Sequence, residues 1–211
     1  MSVLLDLLYP PKCALCGVLG PEPVCGICLS GFIPQGSGRY ATPAPLDFAT
    51  ALYDYTGDAA RAVQRLKYQR VTSLAAWMAG LLRKAAEERA LLEVDAIIPV
   101  PIHWSREAAR GFNQADVLCE AMPQELVRRD VLHRVRATRS QVGLNHEERA
   151  KNLEGAFEAS MEAGLDYVLL VDDVLTSGGT AIQCASALKA AGAVEVGIIT
   201  FAAESKWGKG D

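Results

Sequence analysis

Two stretches carry residue types whose spacing could do chemistry. The first is VLLVDDVLTSGGTA, residues 168 to 181, where four apolar residues run into Asp172 and Asp173 and then into a short loop of Thr, Ser and Gly. Adjacent carboxylates repel, and burying either is costly unless it is partnered. The arrangement makes sense where the pair accepts hydrogen bonds from the vicinal hydroxyls of a ligand. Behind it, Thr176, Ser177, Gly178, Gly179 and Thr180 offer hydroxyls and backbone N–H groups that a Cβ would otherwise crowd. The loop opens a helix whose N-terminus is partly positive, which suits a phosphate group. Diol acceptors followed directly by a phosphate cradle describe a ribose 5-phosphate site. The duller reading, acids solvated at a strand end, does not account for the loop that follows.

The second stretch holds Cys13, Cys16, Cys25 and Cys28, two C-x-x-C pairs eight residues apart. Each pair lets two thiolates converge on one tetrahedral ion, and the second pair closes the shell. The surrounding segment is too poor in apolar residues to fold unaided, so a bound Zn²⁺ would supply its folding free energy. Disulfides or a redox pair are the alternatives. A reducing compartment disfavours the former, and the absence of a βαβ context disfavours the latter. The remaining cysteines, Cys119 and Cys184, have apolar helical neighbours and read as core residues.

The elements that must position these groups follow from periodicity. Strands are expected at 48–55, 95–100, near Phe157, at Tyr167–Val171 and Val194–Phe201, with a further strand within 126–135. Helices are expected at 57–69, 71–92, within 104–122 and from Thr180 to Ala191, closed by Gly192. Arg61, Arg65 and Lys67 fall near one side of the first of these. Alternating strands and helices, some strands apolar throughout, imply an α/β fold with a mainly parallel sheet covered on both faces. In such sheets the ligand crevice lies beyond the carboxyl ends of the strands, where Asp172 and Asp173 stand. The Gly-, Pro- and Ser-rich stretch 30–46 reads as a linker. It divides a small N-terminal cysteine module, with linker, at 1–45 from the main domain at 46–211.

Bulk properties fit that picture. The 211 residues are 50% hydrophobic and 22% charged, a globular composition, and the formal net charge is −4. The molecule as a whole is therefore no general polyanion binder, although a local basic stripe remains open. No run approaches the roughly 18 apolar residues of a membrane span, and the first residues lack a basic secretory n-region. The expected location is the cytoplasm, with no membrane insertion.

The stretch VLLVDDVLTSGGT resembles the phosphoribosylpyrophosphate (PRPP) binding signature of the type I phosphoribosyltransferases. More narrowly, the chain is similar over nearly its full length to the ComF family, which joins a zinc finger to a phosphoribosyltransferase-like domain. The paired cysteines, LKY (66–68), PVPIHWSREAARGFNQA (99–115) and RATRSQVGLNHEERAKNLEGAF (136–157) carry that likeness. Two positions depart from the usual pattern: Gln69-Arg70 follows LKY where glycine is more usual, and Ser177-Gly178-Gly179 stands where Thr-Gly-Ala is commoner. The resemblance implies that Asp172 and Asp173 bind the ribose hydroxyls and Thr176 to Thr180 the 5′-phosphate. The turn Val100-Pro101-Ile102 would be a pyrophosphate loop. A mobile basic segment would contribute Arg134, Arg136, Arg139 and Arg149, with Arg106 and Arg110 on the helix that follows the pyrophosphate loop. Mg²⁺ would accompany PRPP.

Three functions remain open at this stage. The resemblance implies handling of single-stranded DNA during natural transformation, with PRPP bound and competence DNA-uptake proteins as partners. The arginines of 61–70 and 134–139 would be the DNA-facing groups. The alternatives are an active phosphoribosyltransferase with an unidentified acceptor, and a PRPP-sensing adaptor without chemistry. No catalytic residue and no acceptor pocket can be read from the sequence.

Overall fold

The computed structural model describes residues 10–69, 71–136, 155–160 and 164–207. Its centre is a four-stranded, wholly parallel sheet in the order β1-β6-β5-β2, formed by β1 (Phe48–Asp54), β2 (Ala96–Pro99), β5 (Tyr167–Leu175) and β6 (Glu195–Ala203). A two-stranded antiparallel ribbon, β3 (Leu132–Arg134) with β4 (Phe157–Ala159), stands apart from it. The two middle strands, β5 and β6, are apolar almost throughout because both of their faces are covered.

Side chains alternate along a strand, so successive residues feed different cores. Leu169 and Val171 face α2 (Gly57–Gln69) and α3 (Thr72–Glu88), meeting Val63, Leu66, Leu74 and Met78. Val168 and Leu170 face the other way, toward Cys184, Ala185 and Leu188 of the helix Gly179–Ala190. Cys184 is fully buried here and Cys119 in the opposite core, as apolar neighbours required.

Several boundaries differ from the sequence expectation, each for a local reason. The helix within 104–122 is split into α4 (Trp104–Arg110), α5 (Gln114–Leu118) and a 3₁₀ turn, Cys119–Ala121. Gly111 ends α4 in the left-handed region at φ 86°, and Asn113 then caps α5 by accepting from the Ala115 N–H at 3.1 Å. Of the stretch 126–135 only Leu132–Arg134 is strand, with Val127 bridging to Ile97 of β2. The strand expected to end at Val171 runs on to Leu175 because β6 pairs with it that far. The helix after it, α6, is Gly179–Ala190.

The stretch read as a linker is not free of the sheet. The Tyr40 and Ala49 backbones exchange hydrogen bonds at 2.7 and 3.3 Å, the Gln35 N–H donates to the Leu52 carbonyl at 2.9 Å, and the Asp54 N–H to the Ile33 carbonyl at 2.8 Å. Residues 33–40 thereby cover the open edge of β1. The cysteine segment, with its helix α1 (Gly26–Ser30), docks on α2. Arg61 donates to the Leu15 carbonyl at 2.8 Å and Arg65 to the Ala14 carbonyl at 2.6 Å. Phe32 inserts edge-on against Tyr53, Trp77 and Phe201, with centroids 5.0, 5.8 and 6.1 Å away.

Candidate functional site

The carboxyl ends of β2 and β5 open into a cavity of about 840 Å³. Asp172 and Asp173 both line it, although a strand aims consecutive side chains at opposite faces. Asp173 points toward α2, where its Oδ2 lies 2.8 Å from the Lys67 Nζ; the two side chains are 2% and 19% exposed. Asp172 turns its Oδ1 back to accept from the Asp173 N–H at 2.8 Å. Burial, reinforced by the charge of Asp173, pushes the Asp172 carboxyl up to about 8. Burial works against the Lys67 ammonium, but the Asp173 and Asp172 charges outweigh it and hold its pKa above the ordinary value. The three groups therefore act as one unit, with two acids sharing a single cation. Such a unit accepts hydrogen bonds from a diol while one acid carries a proton, and both acids ionise readily once further positive charge arrives.

Three arginines line the same cavity, Arg106 and Arg110 of α4 and Arg134 of β3. Arg134 is half-buried, its guanidinium 5.2 Å over the Phe157 ring; burial and the nearby Arg106 both lower its pKa. The charge of Asp172 acts on Arg134 in the opposite sense. The turn Val100-Pro101-Ile102 lines the cavity as well. Its geometry is held from both sides: the Val100 N–H donates to the Val171 carbonyl at 2.9 Å, and Asn113, a buried side chain, donates to the Val100 carbonyl at 3.1 Å. Arg110 is braced by Gln114, whose amide oxygen accepts from it.

The loop of residues 176–180 meets the same cavity. Thr176 and Thr180 reach the main cavity, and the whole loop lines an adjoining recess of about 40 Å³, shared with Asp172. Gly178 caps α6 in the left-handed region at φ 79°, which a side chain would strain. No backbone hydrogen bond between described residues takes up the N–H groups of Ser177, Gly178, Gly179 or Thr180. Those donors belong to the first turn of a helix, where a ligand can satisfy them.

The four cysteines of the N-terminal segment also converge. Their sulfur atoms all lie within 4.8 Å of one another, and Cys16 and Cys25 are 3.6 Å apart. A tetrahedral ion with metal–sulfur bonds near 2.3 Å needs sulfurs about 3.8 Å apart, so the set fits. Cys13 sulfur accepts from the Leu15 and Cys25 N–H groups, each at 3.4 Å. Burial opposes ionisation of that thiol, but these amides outweigh it and lower its pKa to about 6. Cys28 is pushed up to about 12 by burial and by the other three sulfurs. Cys13, Cys16, Cys25 and Cys28 can thus hold one metal ion such as zinc, in a closed shell with no open coordination position for chemistry.

Most of the residues singled out in the sequence meet at the cavity or its recess: Asp172, Asp173 and the loop 176–180, the turn 100–102, and Arg106, Arg110 and Arg134. Arg136 is exposed and does not line it. Arg139 and Arg149 lie outside the described residues. Arg61 and Arg65, expected to face DNA, are instead turned onto the cysteine segment, and Arg61 also pairs with Asp58 at 2.8 Å. Lys67, Tyr55 and Tyr68 line the cavity without having been assigned to it. Lys67 had a legible signal. It falls four residues after Val63 and eight after Ala59, both fully buried, so it extends the buried stripe of α2. A lysine there must have a buried partner.

Among the described residues no helix is long and apolar enough to cross a membrane. No protein-family model matches the chain. Individual relatives do. The chain is 32% identical over 193 residues to DNA utilization protein YhgH of Salmonella typhimurium, covering 87% of this chain and 80% of that one. It is 29% identical over 198 residues to the protein of the same name from Escherichia coli K12, covering 90% and 82%. It is 32% identical over 187 residues to Competence protein F of Haemophilus influenzae, covering 82% of each. With a third of its residues shared along most of both lengths, the chain belongs to the ComF family.

Proposed function

We propose that the chain is a cytoplasmic PRPP-binding protein of DNA utilisation, built on a type I phosphoribosyltransferase-like domain with a structural zinc module. The single observation that carries this reading is the meeting in one cavity of Asp172 and Asp173, of Arg106, Arg110 and Arg134, and of Thr176 and Thr180 from the loop 176–180. A ribose carrying phosphate at one end and pyrophosphate at the other is matched along its length. Asp172 and Asp173 accept from the 2′- and 3′-hydroxyls, and the loop donates to the 5′-phosphate. Arg106, Arg110 and Arg134, with the turn 100–102, face the pyrophosphate. Mg²⁺ bound with PRPP would neutralise part of the pyrophosphate charge and stabilise both acids in their ionised form. In the N-terminal module, Zn²⁺ on Cys13, Cys16, Cys25 and Cys28 holds the segment that docks on α2.

The names of the relatives support a role in DNA utilisation and competence; the finer form of this proposal is the handling of incoming single-stranded DNA, with competence DNA-uptake proteins as partners. Calorimetry with PRPP and Mg²⁺ tests the ligand. Binding by the wild type that is lost in Asp172→Ala/Asp173→Ala is expected, and absence of wild-type binding overturns the reading. Titration with a single-stranded oligonucleotide at two salt concentrations tests the partner. Affinity is expected to fall with salt and again in Arg134→Ala/Arg136→Ala/Arg139→Ala. No binding at low salt removes DNA from the account.

One observation favours catalysis as a second reading. The cavity is at the upper end of the roughly 300–1,000 Å³ typical of small-molecule sites, and Tyr55 and Tyr68 also line it. A nucleophile held there would form a bond to the ribose C1 as the C1–O bond to pyrophosphate breaks. Mg²⁺-dependent release of pyrophosphate supports that reading, and its absence with every nucleophile tried leaves PRPP sensing.

A further inference from the structure

Trp207 is the last described residue, in the 3₁₀ turn Ser205–Trp207 that follows β6. It does not line the cavity, and yet it touches the loop 176–180 at two points. Its indole N–H donates to the Thr176 carbonyl at 2.6 Å. Its ring lies so close to Gly178 that a Cβ there would stand 2.8 Å from the ring's Cζ2. The turn that carries it is itself fixed. The Glu204 N–H donates to the Leu175 carbonyl at 2.9 Å, the Trp207 N–H to the Glu204 carbonyl at 3.0 Å, and the Ser205 hydroxyl to Asp54 at 3.2 Å.

These contacts decide which way the loop's peptides face. In a trans peptide the carbonyl and the following N–H point in opposite directions. Holding the Thr176 carbonyl on the indole therefore turns the Ser177 N–H away from Trp207. Were that peptide to flip, a carbonyl oxygen would replace a donor in the cradle and repel an anion. The ring over Gly178 closes the outer side of the same turn. Only glycine fits beneath it, because the position combines φ 79° with that close approach.

We infer that Trp207 is the positioning residue of the phosphate cradle, fixing the donor-inward orientation of the Thr176–Ser177 peptide through its indole N–H. This rests on the reading of the loop as the seat of a sugar phosphate. Trp207→Phe keeps a ring over Gly178 and removes the donor, and Trp207→Ala removes both. Calorimetry on the full chain compares ribose 5-phosphate, which needs the cradle, with inorganic pyrophosphate and Mg²⁺, which needs Arg106, Arg110 and Arg134.

Trp207→Phe is expected to weaken ribose 5-phosphate about three- to ten-fold while leaving pyrophosphate within about two-fold. The wild-type tryptophan fluorescence should respond to ribose 5-phosphate, and Trp207→Phe should abolish that response although Trp77 and Trp104 remain. Undiminished ribose 5-phosphate binding by Trp207→Phe overturns the inference. So does an equal loss for both ligands, which marks general loosening of the fold. A wild type that binds no ribose 5-phosphate overturns the site reading as well, and so separates the two failures.

Discussion

Lys67 offers the sharpest perturbation. Replacing it by Met keeps the aliphatic stem against α2 and deletes the ammonium that lies 2.8 Å from Asp173. An exposed ion pair would be worth about 0–1 kcal/mol. This one is not exposed: the acid is 2% and the lysine 19% accessible. Breaking a buried pair by removing one partner costs about 3–5 kcal/mol, because the survivor stays buried and uncompensated. The residual access to Lys67 lets some water in, so the low end, about 3 kcal/mol, is expected at neutral pH. That is a large part of the roughly 5–15 kcal/mol of an ordinary domain. The Asp173 carboxylate left behind can relieve the penalty by taking up a proton, which is easy in acid and costly at neutral pH, so the loss should shrink as pH falls. Adding Asp173→Asn to Lys67→Met should restore most of the stability at neutral pH. Urea unfolding at pH 5 and pH 7.5, read as the shift in midpoint at constant slope, measures this. A loss below about 1 kcal/mol at pH 7.5, or one independent of pH, would refute the claim that the pair is buried and mutually dependent.

Four further outcomes follow from the same geometry. The Asp172 carboxyl is raised from 3.8 to about 8 in the folded chain, so the native state keeps a proton that the unfolded chain gives up between those values. Its contribution is full below about pH 4 and is lost progressively as pH rises toward 8; Asp172→Asn should flatten that decline in urea midpoints measured across the window. Arg134→Ala should weaken pyrophosphate binding about tenfold or more, as loss of a charge-assisted contact does, while ribose 5-phosphate changes less. Metal analysis should find about one equivalent of zinc per chain, lost in Cys13→Ser or Cys25→Ser. Because Cys13, Cys28 and Phe32 share a core with α2 and α3, chelation should lower the melting temperature of the whole chain and not release a separate small unit.

The sheet was legible because buried parallel strands announce themselves as apolar runs, and Val168 to Val171 and Val196 to Phe201 could be nothing else. The acid pair and loop were legible because residues that only make sense together stood in direct sequence. What the sequence hid lay in tertiary register. Nothing local says that β5 continues through its own acids to Leu175, since pairing with β6 decides it. Nothing local says that 33–40 would lie along β1, because composition marks a stretch as irregular without saying what its backbone donors find. Arg61 and Arg65 looked like a basic face from spacing alone, and carbonyls brought in from residues 14 and 15 gave them another task. Trp207 could not be tied to the loop from sequence, standing 29 residues beyond the Gly178 on which it lies.

The most direct test is a crystal of the protein soaked with PRPP and Mg²⁺. Sugar density is expected between Asp172, Asp173 and the loop 176–180, with pyrophosphate reaching toward Arg106, Arg110 and Arg134. A cavity that stays empty at saturating ligand, or a ligand bound elsewhere with Lys67 and Asp173 unmoved, would contradict the account.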